Sequence, residues 1–384
     1  MKKIWKKCSI TGIVTGLMLI CLAACSPGGE SKNKDSTPDS GGKGQTEESS
    51  SSAEPFSLET LAKELEAGIL EGKEEIRCVF EGEAEELNEE ALQGLQACLA
   101  DSYLCGNLLS GVDMQWEQKG NNAEGTFSIQ YHEDVNPPVV CVSDKEMVLD
   151  ELLKGWQEGR EKVTFVFENL PCTEEEMFAI LDTAEMNSAF LPCEADSVYY
   201  EAFDPDGDRQ IVRMWLEFAA GTEDLPGRQQ ELKDQVALMA EEIRGTGDKG
   251  EEQIYRDVYQ KLLDTAEYDD SIAHVTDAQR LSTDMRILRS AYGALVDGHT
   301  VCTGYARGYK ALCDELGLPC WVISGTRQGV RHSWNLIRIG EEMFYVDCTA
   351  GDTGSSEEEA FLFREEQLGE LGYIVDTTFI VPKI

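Results

Sequence analysis

The chain has 384 residues, of which 41% are hydrophobic, and this is enough to build cores for two or three globular units. Its 73 acidic side chains outnumber its 33 basic ones and give a formal net charge of −40 at pH 7. A surface this acidic repels phosphate backbones and anionic lipid headgroups. We therefore expect no nucleic acid among the partners of this protein.

The first 25 residues have the pattern of a secretion signal. Lysines at positions 2, 3, 6 and 7 precede an apolar run from Cys8 to Ala24. The end of the segment, Leu22-Ala23-Ala24-Cys25, resembles the lipobox of bacterial lipoproteins, which implies that the Cys25 thiol is lipidated. The alternative is a transmembrane anchor of about 17 residues, which is short for a bilayer. Either way, we expect a protein held at the cell membrane, on its extracytoplasmic face.

Residues 26–55 hold no large apolar side chain and are rich in Ser, Gly, Glu and Lys, so they predict a disordered linker. Globular sequence begins at Phe56. We divide the remainder into a repeat at 56–140, a second repeat at 141–222 and a different domain at 223–384.

The two repeats are visible when the chain is compared with itself. "LEAGILEGKEEIRCVFEG" at 65–82 aligns without gaps on "LLKGWQEGREKVTFVFEN" at 152–169, with eight identities in 18 positions. Downstream, Asn88 and Thr173 both have the pattern of an N-cap before an amphipathic helix, and two alternating strand patterns follow in each repeat. The sequence therefore predicts tandem αβαββ units packed together. With no reactive cluster in them, these units are expected to bind or position rather than to react.

Beyond Cys25 the chain holds ten cysteines, and their spacing matches neither a disulfide framework nor a zinc site. One of them differs from the rest by its position. In "GHTVCTGYARGYKALCDELGLPCWVISGT", Cys302 precedes apolar residues at helical spacing, and Gly317 lies where the helix would end. A thiol at a helix N-terminus has a lowered pKa, because the helix dipole stabilises the thiolate. Cys313 falls on the buried stripe of the same helix and is expected to be an inert core thiol.

A nucleophilic thiolate needs a base, and the base needs an orienting acceptor. The histidines of this half are His274, His299 and His332. His332 opens "HSWNLIRI" and Asp347 lies at the end of "MFYVD", so the two strand-like segments predict a hairpin with the aspartate on the partner strand. If its loop has an even number of residues, both side chains face the same side of the sheet. Cys302, His332 and Asp347 then form a candidate triad.

These segments resemble the bacterial transglutaminase-like superfamily, a papain-like group with a Cys-His-Asp triad. The resemblance covers roughly 230–355 and rests on Val301-Cys302-x-Gly304-Tyr305-Ala306, Ser324-Gly325, His332-x-Trp334-Asn335 and Tyr345-x-Asp347-x-Thr349. It implies an α+β fold in which a helix that starts at the cysteine packs on an antiparallel sheet. It also implies Cys302 as nucleophile, His332 as general base and acid, and Asp347 as orienter.

The resemblance further suggests a substrate cleft walled by Trp334 and Tyr305, although packing explains Trp334 equally well. The expected reaction is thioester formation on a peptide or amide carbonyl, resolved by water in a peptidase or amidase. Transfer to an amine, as in protein cross-linking, and a non-catalytic surface-binding module are the alternatives. The expected partners are a protein or peptide substrate, including one associated with the cell wall, and the membrane, through the lipid on Cys25. The chemistry requires no cofactor and no metal.

Overall fold

The computed structural model describes residues 53–160, 162–218, 224–245, 249–271 and 282–376. The predicted secretion signal with Cys25, the linker up to residue 52, and His274 lie outside the described residues. Among the helices within these ranges, none is long and apolar enough to cross a membrane.

The first unit is a four-stranded sheet whose apolar face is covered by helices. Its elements in chain order are β1 (Glu54–Pro55), α1 (Leu58–Leu70), β2 (Glu75–Glu81), α2 (Ala84–Asp101), α3 (Tyr103–Leu108), β3 (Leu109–Lys119) and β4 (Asn122–Tyr131). The strand order is β1-β2-β4-β3, with β1 parallel to β2 and the other neighbours antiparallel. Alternate residues of β2, namely Ile76, Cys78 and Phe80, enter the core beside the helices.

The second unit has the same strand order. Its elements are β5 (Val139–Val142), α4 (Lys145–Gln157), β6 (Lys162–Glu168), α5 (Glu174–Asn187), β7 (Ser197–Ala202) and β8 (Arg209–Glu217). The sheet runs β5-β6-β8-β7, and again only the first pair is parallel. In each unit the first helix therefore connects two parallel strands, and a hairpin completes the sheet.

A glycine allows the first helix of each unit to lie close to its sheet. A Cβ added at Gly68 in α1 would come within 2.1 Å of the Ile76 side chain. A Cβ added at Gly155 in α4 would come within 2.8 Å of the Val163 side chain. The two glycines align in the sequence, and so do the two β-branched residues that they contact. The glycine shared by the two repeats at this position thus has a packing reason.

Two unit boundaries differ from the predicted ones. Glu54 and Pro55, assigned to the linker, form strand β1 beside Phe80 and Glu81. Val139, assigned to the first repeat, begins strand β5 of the second unit. Both strands are short, lie at a sheet edge and contain or follow proline, which edge positions tolerate. An alternating apolar pattern is too brief in them to be recognised.

The C-terminal domain packs helices on one face of a five-stranded sheet. Its helices and turns are α6 (Leu225–Arg244), α7 (Glu251–Thr265), α8 (Thr283–Leu288), a π-helical turn (Gly293–Asp297), α9 (Cys302–Leu316), α10 (Cys348–Asp352), α11 (Glu357–Ala360) and a 3₁₀ turn (Glu365–Gln367). Its strands are β9 (Glu267–Tyr268), β10 (His299–Thr300), β11 (Cys320–Arg327), β12 (Val330–Ile339), β13 (Glu342–Val346), β14 (Phe361–Phe363) and β15 (Tyr373–Val375).

The large sheet of this domain has the order β14-β13-β12-β11-β15, and all its neighbours are antiparallel. Helix α9 packs on β11 and β12 and is itself surrounded by α6 and α7. The buried residues Tyr305, Tyr309 and Leu312 of α9 lie in this core. The opposite face carries an aromatic cluster that includes Trp334, Phe363 and Tyr373. The chain is thus a mixed α and β protein with several sheets.

The second unit is joined to the C-terminal domain through buried polar contacts. The Asn187 carboxamide, at the end of α5, accepts from the backbone N–H of Val322 at 2.8 Å and donates to its carbonyl at 3.1 Å. Arg307 of α9 donates to the Glu185 carboxylate at 2.8 Å, with both side chains almost fully buried. Arg286 donates to the Ala195 carbonyl at 2.7 Å. Helix α5 and the loop after it therefore contact the helix and the sheet that carry the candidate triad.

Candidate active site

Cys302 is the first residue of helix α9. It follows Val301, whose backbone is extended, and as a residue it is partly exposed. Gly304 explains the spacing of the Cys-x-Gly motif, because a Cβ there would lie 1.9 Å from the Thr300 hydroxyl oxygen and 2.6 Å from the Leu288 carbonyl oxygen. The chain that enters the helix is folded tightly against the first helical turn. This packing fixes the position of the thiol at the helix N-terminus.

His332 and Asp347 are brought together by the hairpin of β12 and β13. Ile339 pairs with Glu342 across a two-residue turn, so Asn335 pairs with Val346. The even loop places the His332 and Asp347 side chains on the same face of the sheet. His332 Nε2 lies 2.7 Å from Asp347 Oδ2. Asp347 is the residue after β13 and the N-cap of α10, not a residue within the strand.

The Asp347 carboxylate is fully buried and is held by three donors. Oδ1 accepts from the backbone N–H of Ala350 at 3.0 Å. Oδ2 accepts from His332 Nε2 and from the Tyr373 hydroxyl, the latter at 2.6 Å. A buried carboxylate needs such partners to remain ionised. Burial alone raises its pKa, but the bonds from His332, Tyr373 and Ala350 outweigh burial, and the pKa of Asp347 is lowered.

His332 is arranged to carry a proton at neutral pH. Burial favours the neutral ring, but the hydrogen bonds and negative charges of Asp347 and Cys302 outweigh it and raise the pKa of His332 to about 9. Since Nε2 is engaged by Asp347, Nδ1 is the ring nitrogen that remains for the Cys302 thiol.

The Cys302 thiol lies among groups that stabilise its anion. Burial raises its pKa, but the hydrogen bond and charge of His332, the backbone N–H of Ser333 and the Thr303 hydroxyl lower it. The net effect is a lowered pKa. Cys302 and His332 thus favour an ion pair of thiolate and imidazolium, in which the thiolate is the reactive form of the sulfur.

Other cysteines of the described chain have the opposite environment. Burial raises the pKa of Cys78 to about 12 and that of Cys193 to about 11. It also raises the pKa of Cys313 and that of Cys348 well above the ordinary value. Every described cysteine is a free thiol. Cys302 is therefore distinguished from these four by its surroundings and not by its residue type.

The two residues proposed to wall the cleft are buried. Tyr305 is 0% exposed, and its hydroxyl lies within hydrogen-bond distance of two acceptors, Asp352 Oδ2 at 2.8 Å and the Ala266 carbonyl at 3.1 Å. Trp334 is 1% exposed, and its ring lies nearly parallel to the His332 ring at 5.9 Å. The cleft interpretation is corrected for both, because Tyr305 ties α9 to neighbouring elements and Trp334 supports the imidazole from the side.

Three groups near the triad were missed by the sequence reasoning. Tyr373 contacts Asp347 from β15, and Ser333 and Thr303 contact Cys302. Ser333 and Thr303 are direct neighbours of triad residues, so their adjacency was a usable signal. Tyr373 belongs to a three-residue strand near the end of the described chain, and its sequence offers no pattern that separates it from an ordinary core tyrosine.

Comparison with known proteins gives remote likenesses. No family model matches the chain, and no curated protein matches it. A solved structure described as a "TGase" has 12% identity and a TM-score of 0.29, and the match covers 64% of this chain and 65% of the other.

A "Putative Cysteine Protease" from Cytophaga hutchinsonii has 14% identity and a TM-score of 0.26, with 46% of this chain and 65% of the other covered. A "putative protease" from Parabacteroides distasonis ATCC 8503 has 8% identity and a TM-score of 0.24, with 72% of this chain and 43% of the other covered. The chain thus spans less than two thirds of the length of each of the three structures. Likenesses at these TM-scores identify neither the reaction nor the substrate.

Proposed function

We propose that this protein is a transglutaminase-like cysteine enzyme that forms a thioester with a peptide or amide carbonyl and hydrolyses it. The observation that carries the proposal is the position of His332, whose Nε2 lies 2.7 Å from Asp347 Oδ2 and whose charge and hydrogen bonding lower the pKa of Cys302. A nucleophile, a base and an orienter in this order are what acyl transfer requires. The lowered pKa of Cys302 adds to the argument, because it increases the fraction of the reactive thiolate at a given pH.

In the proposed reaction the Cys302 thiolate attacks the carbonyl carbon, and the carbonyl π electrons move to the oxygen. Backbone N–H groups at the start of α9, including that of Cys302, are placed to receive this oxyanion. The C–N bond then breaks as the His332 imidazolium gives its proton to the leaving amine. Neutral His332 next takes a proton from water as the water attacks the thioester. The products are a free amine and a carboxylic acid, and the thiolate and imidazolium are restored.

We infer hydrolysis rather than amine transfer because transfer needs a site that admits an amine while excluding water. Cys302 is partly exposed as a residue, which supports a site that solvent can approach. Cross-linking remains an outcome that the experiment below separates from hydrolysis.

The predicted location completes the proposal. A lipid on Cys25 would hold the enzyme at the membrane, with residues 26–52 as a spacer, and protein or peptide substrates of the cell envelope would be within reach. The two N-terminal units would bind or position such substrates. The contacts of Asn187 and Glu185 with the C-terminal domain support a positioning role for the second unit.

The test is to offer the protein a peptide library with and without a primary amine and to analyse the products by mass spectrometry. Hydrolysed peptides in both samples are expected, with no product from Cys302→Ala. Cys98→Ala is the matched control, because Cys98 is a partly exposed thiol in the first unit. If only amine-linked products form, the reaction is amine transfer and not the proposed hydrolysis. No product under either condition, together with an unreactive Cys302, would contradict an enzymatic function.

A further inference from the structure

Tyr373 makes a contact with the candidate site that its position in the sequence does not suggest. Its hydroxyl donates to Asp347 Oδ2 at 2.6 Å, and the same oxygen accepts from His332 Nε2 at 2.7 Å. Tyr373 is 3% exposed, so this bond is protected from water. Two donors therefore compete for one carboxylate oxygen, and one of them is the proposed base.

The fold places this hydroxyl with little freedom. Tyr373 is in β15, where it pairs with Arg327 of β11. Its ring packs against Trp334 at 5.0 Å and Phe363 at 5.1 Å. Gly325 makes room for the strand, since a Cβ there would lie 2.0 Å from the Ile374 carbonyl oxygen. The phenol is thus aimed at Asp347 by its strand and by its aromatic neighbours.

We propose that Tyr373 is a positioning residue that acts through Asp347. Its phenol weakens the hydrogen bond from the His332 Nε2–H to Asp347 Oδ2. A donor on a carboxylate oxygen withdraws electron density from it and weakens a second hydrogen bond to the same oxygen. Tyr373 therefore keeps the imidazolium acidic enough to release its proton to a leaving amine. This inference rests on the proposed function and adds a residue outside the triad.

Several charged groups face this arrangement. Cys302 and Asp347 face the His332 ring from α9 and from the end of β13. The Arg327 guanidinium lies 5.3 Å from the centroid of the Tyr373 ring, and Glu359 of α11 adds a negative charge near the phenol. Arg327 and Glu359 are present in the wild type and in every Tyr373 variant. A difference in pH dependence between these proteins therefore reports the effect of the phenol.

The experiment measures the rate at which Cys302 reacts with iodoacetate between pH 4 and 11. The anionic reagent is attracted by the imidazolium, so the rate falls as His332 loses its proton, and the upper inflection reports that step. In Tyr373→Phe we expect the upper inflection to rise by roughly half a unit to one unit, as removal of one hydrogen bond to a charged group predicts. Replacement of Tyr373 by a ring-fluorinated tyrosine, which is a stronger donor, is expected to move it in the opposite direction.

Tyr345→Phe is the matched control, because Tyr345 packs against Phe363 in the same aromatic cluster and its hydroxyl has no described bond to Asp347. In the Asp347→Asn background, Tyr373→Phe should have no further effect. An unchanged upper inflection in both Tyr373 variants, or a fall in Tyr373→Phe, would overturn the proposal. If wild-type Cys302 shows no rapid alkylation at all, the proposed function fails, and that result is distinct from failure at Tyr373. The fluorinated protein retains the ring and its packing, so it tests the idea even if Tyr373→Phe is unstable.

Discussion

His332 Nε2 and Asp347 Oδ2 lie 2.7 Å apart, although the two residues are separated by a turn and most of two strands. The hairpin turn of two residues fixes this relationship, because any odd loop would place the side chains on opposite faces. The bond lies in a buried region, where it is stronger than in water and where a lost partner is costly.

Cys302 is expected to react with iodoacetamide faster than any other described thiol at pH 7. The groups around Cys302 lower its pKa, whereas burial raises the pKa of Cys98 and that of Cys78. Peptide mapping after brief labelling would give the rate for each site. Equal labelling of all thiols in the folded protein would rule out an activated Cys302.

The contribution of His332 to stability should depend on pH. Its pKa in the folded protein is raised from 6.5 to about 9, so the charged ring is favoured by folding. The stabilisation is then fully present below the ordinary value and is lost as the pH rises through about 9. The free energy of unfolding of the wild type, relative to His332→Gln, should fall over that window in chemical denaturation. A difference that grows with rising pH would contradict the ion pair.

Asp347→Asn should lower the rate of any Cys302-dependent turnover by a factor on the order of 10² to 10⁴, as loss of the orienting carboxylate does in other triads. The amide cannot stabilise the imidazolium, and it reverses one donor and acceptor role at His332. The variant should keep its fold, because the Ala350 N–H can still bond to the side-chain oxygen. Steady-state rates and circular dichroism would be compared with those of Asp113→Asn, an exposed control position.

Gly304→Ala should destabilise the protein by about 1–3 kcal/mol through overpacking, since the new Cβ would overlap the Thr300 hydroxyl and the Leu288 carbonyl. Because the overlap pushes on the first turn of α9, alkylation of Cys302 should slow as well. Gly369→Ala is the control, as no atom lies within 4 Å of its added Cβ. Thermal unfolding and labelling rates are the measurements, and equal behaviour of the two variants would contradict the steric account.

Arg307→Met should destabilise the protein by about 3–5 kcal/mol, because it removes one member of a buried ion pair and its charge from beside the Glu185 carboxylate. Lys63→Met removes a surface ion pair with Glu59 and should have no measurable effect on unfolding. If Arg307→Met unfolds at the same denaturant concentration as the wild type, the ion pair contributes nothing to the contact between α5 and α9.

The sequence was informative where short-range chemistry decides the structure. Thr173 is the N-cap of α5 and forms a capping box with Glu176, as its pattern predicts. Asn88, with the same pattern, lies inside α2, which begins at Ala84. The residues from Ala84 to Leu87 are good helix formers, so the helix begins before the predicted N-cap. A local cap signal is overridden when helix-favouring residues precede it.

The candidate triad depended on sequence spacing plus one unknown, the length of the hairpin loop. The sequence predicts that His332 and Asp347 share a face of the sheet if the loop has an even number of residues. The length of the loop, two residues, is known only from the structure. Tyr305 was misjudged because an aromatic residue near a nucleophile can line a cleft or fill a core, and Asp352 is distant in sequence. Contacts made by Tyr373 and Asn187 are equally long-range, so no local pattern carries them.

The double hydrogen bond between Asn187 and Val322 has a consequence for how the chain unfolds. Strand β15 pairs with only three residues of β11, and the Asn187 side chain occupies backbone groups of β11 beyond them, as a neighbouring strand would. A fragment starting at residue 223 would leave those groups open at a sheet edge, which invites aggregation. The second unit and the C-terminal domain are therefore expected to unfold together, in one thermal transition, although they differ in sequence pattern.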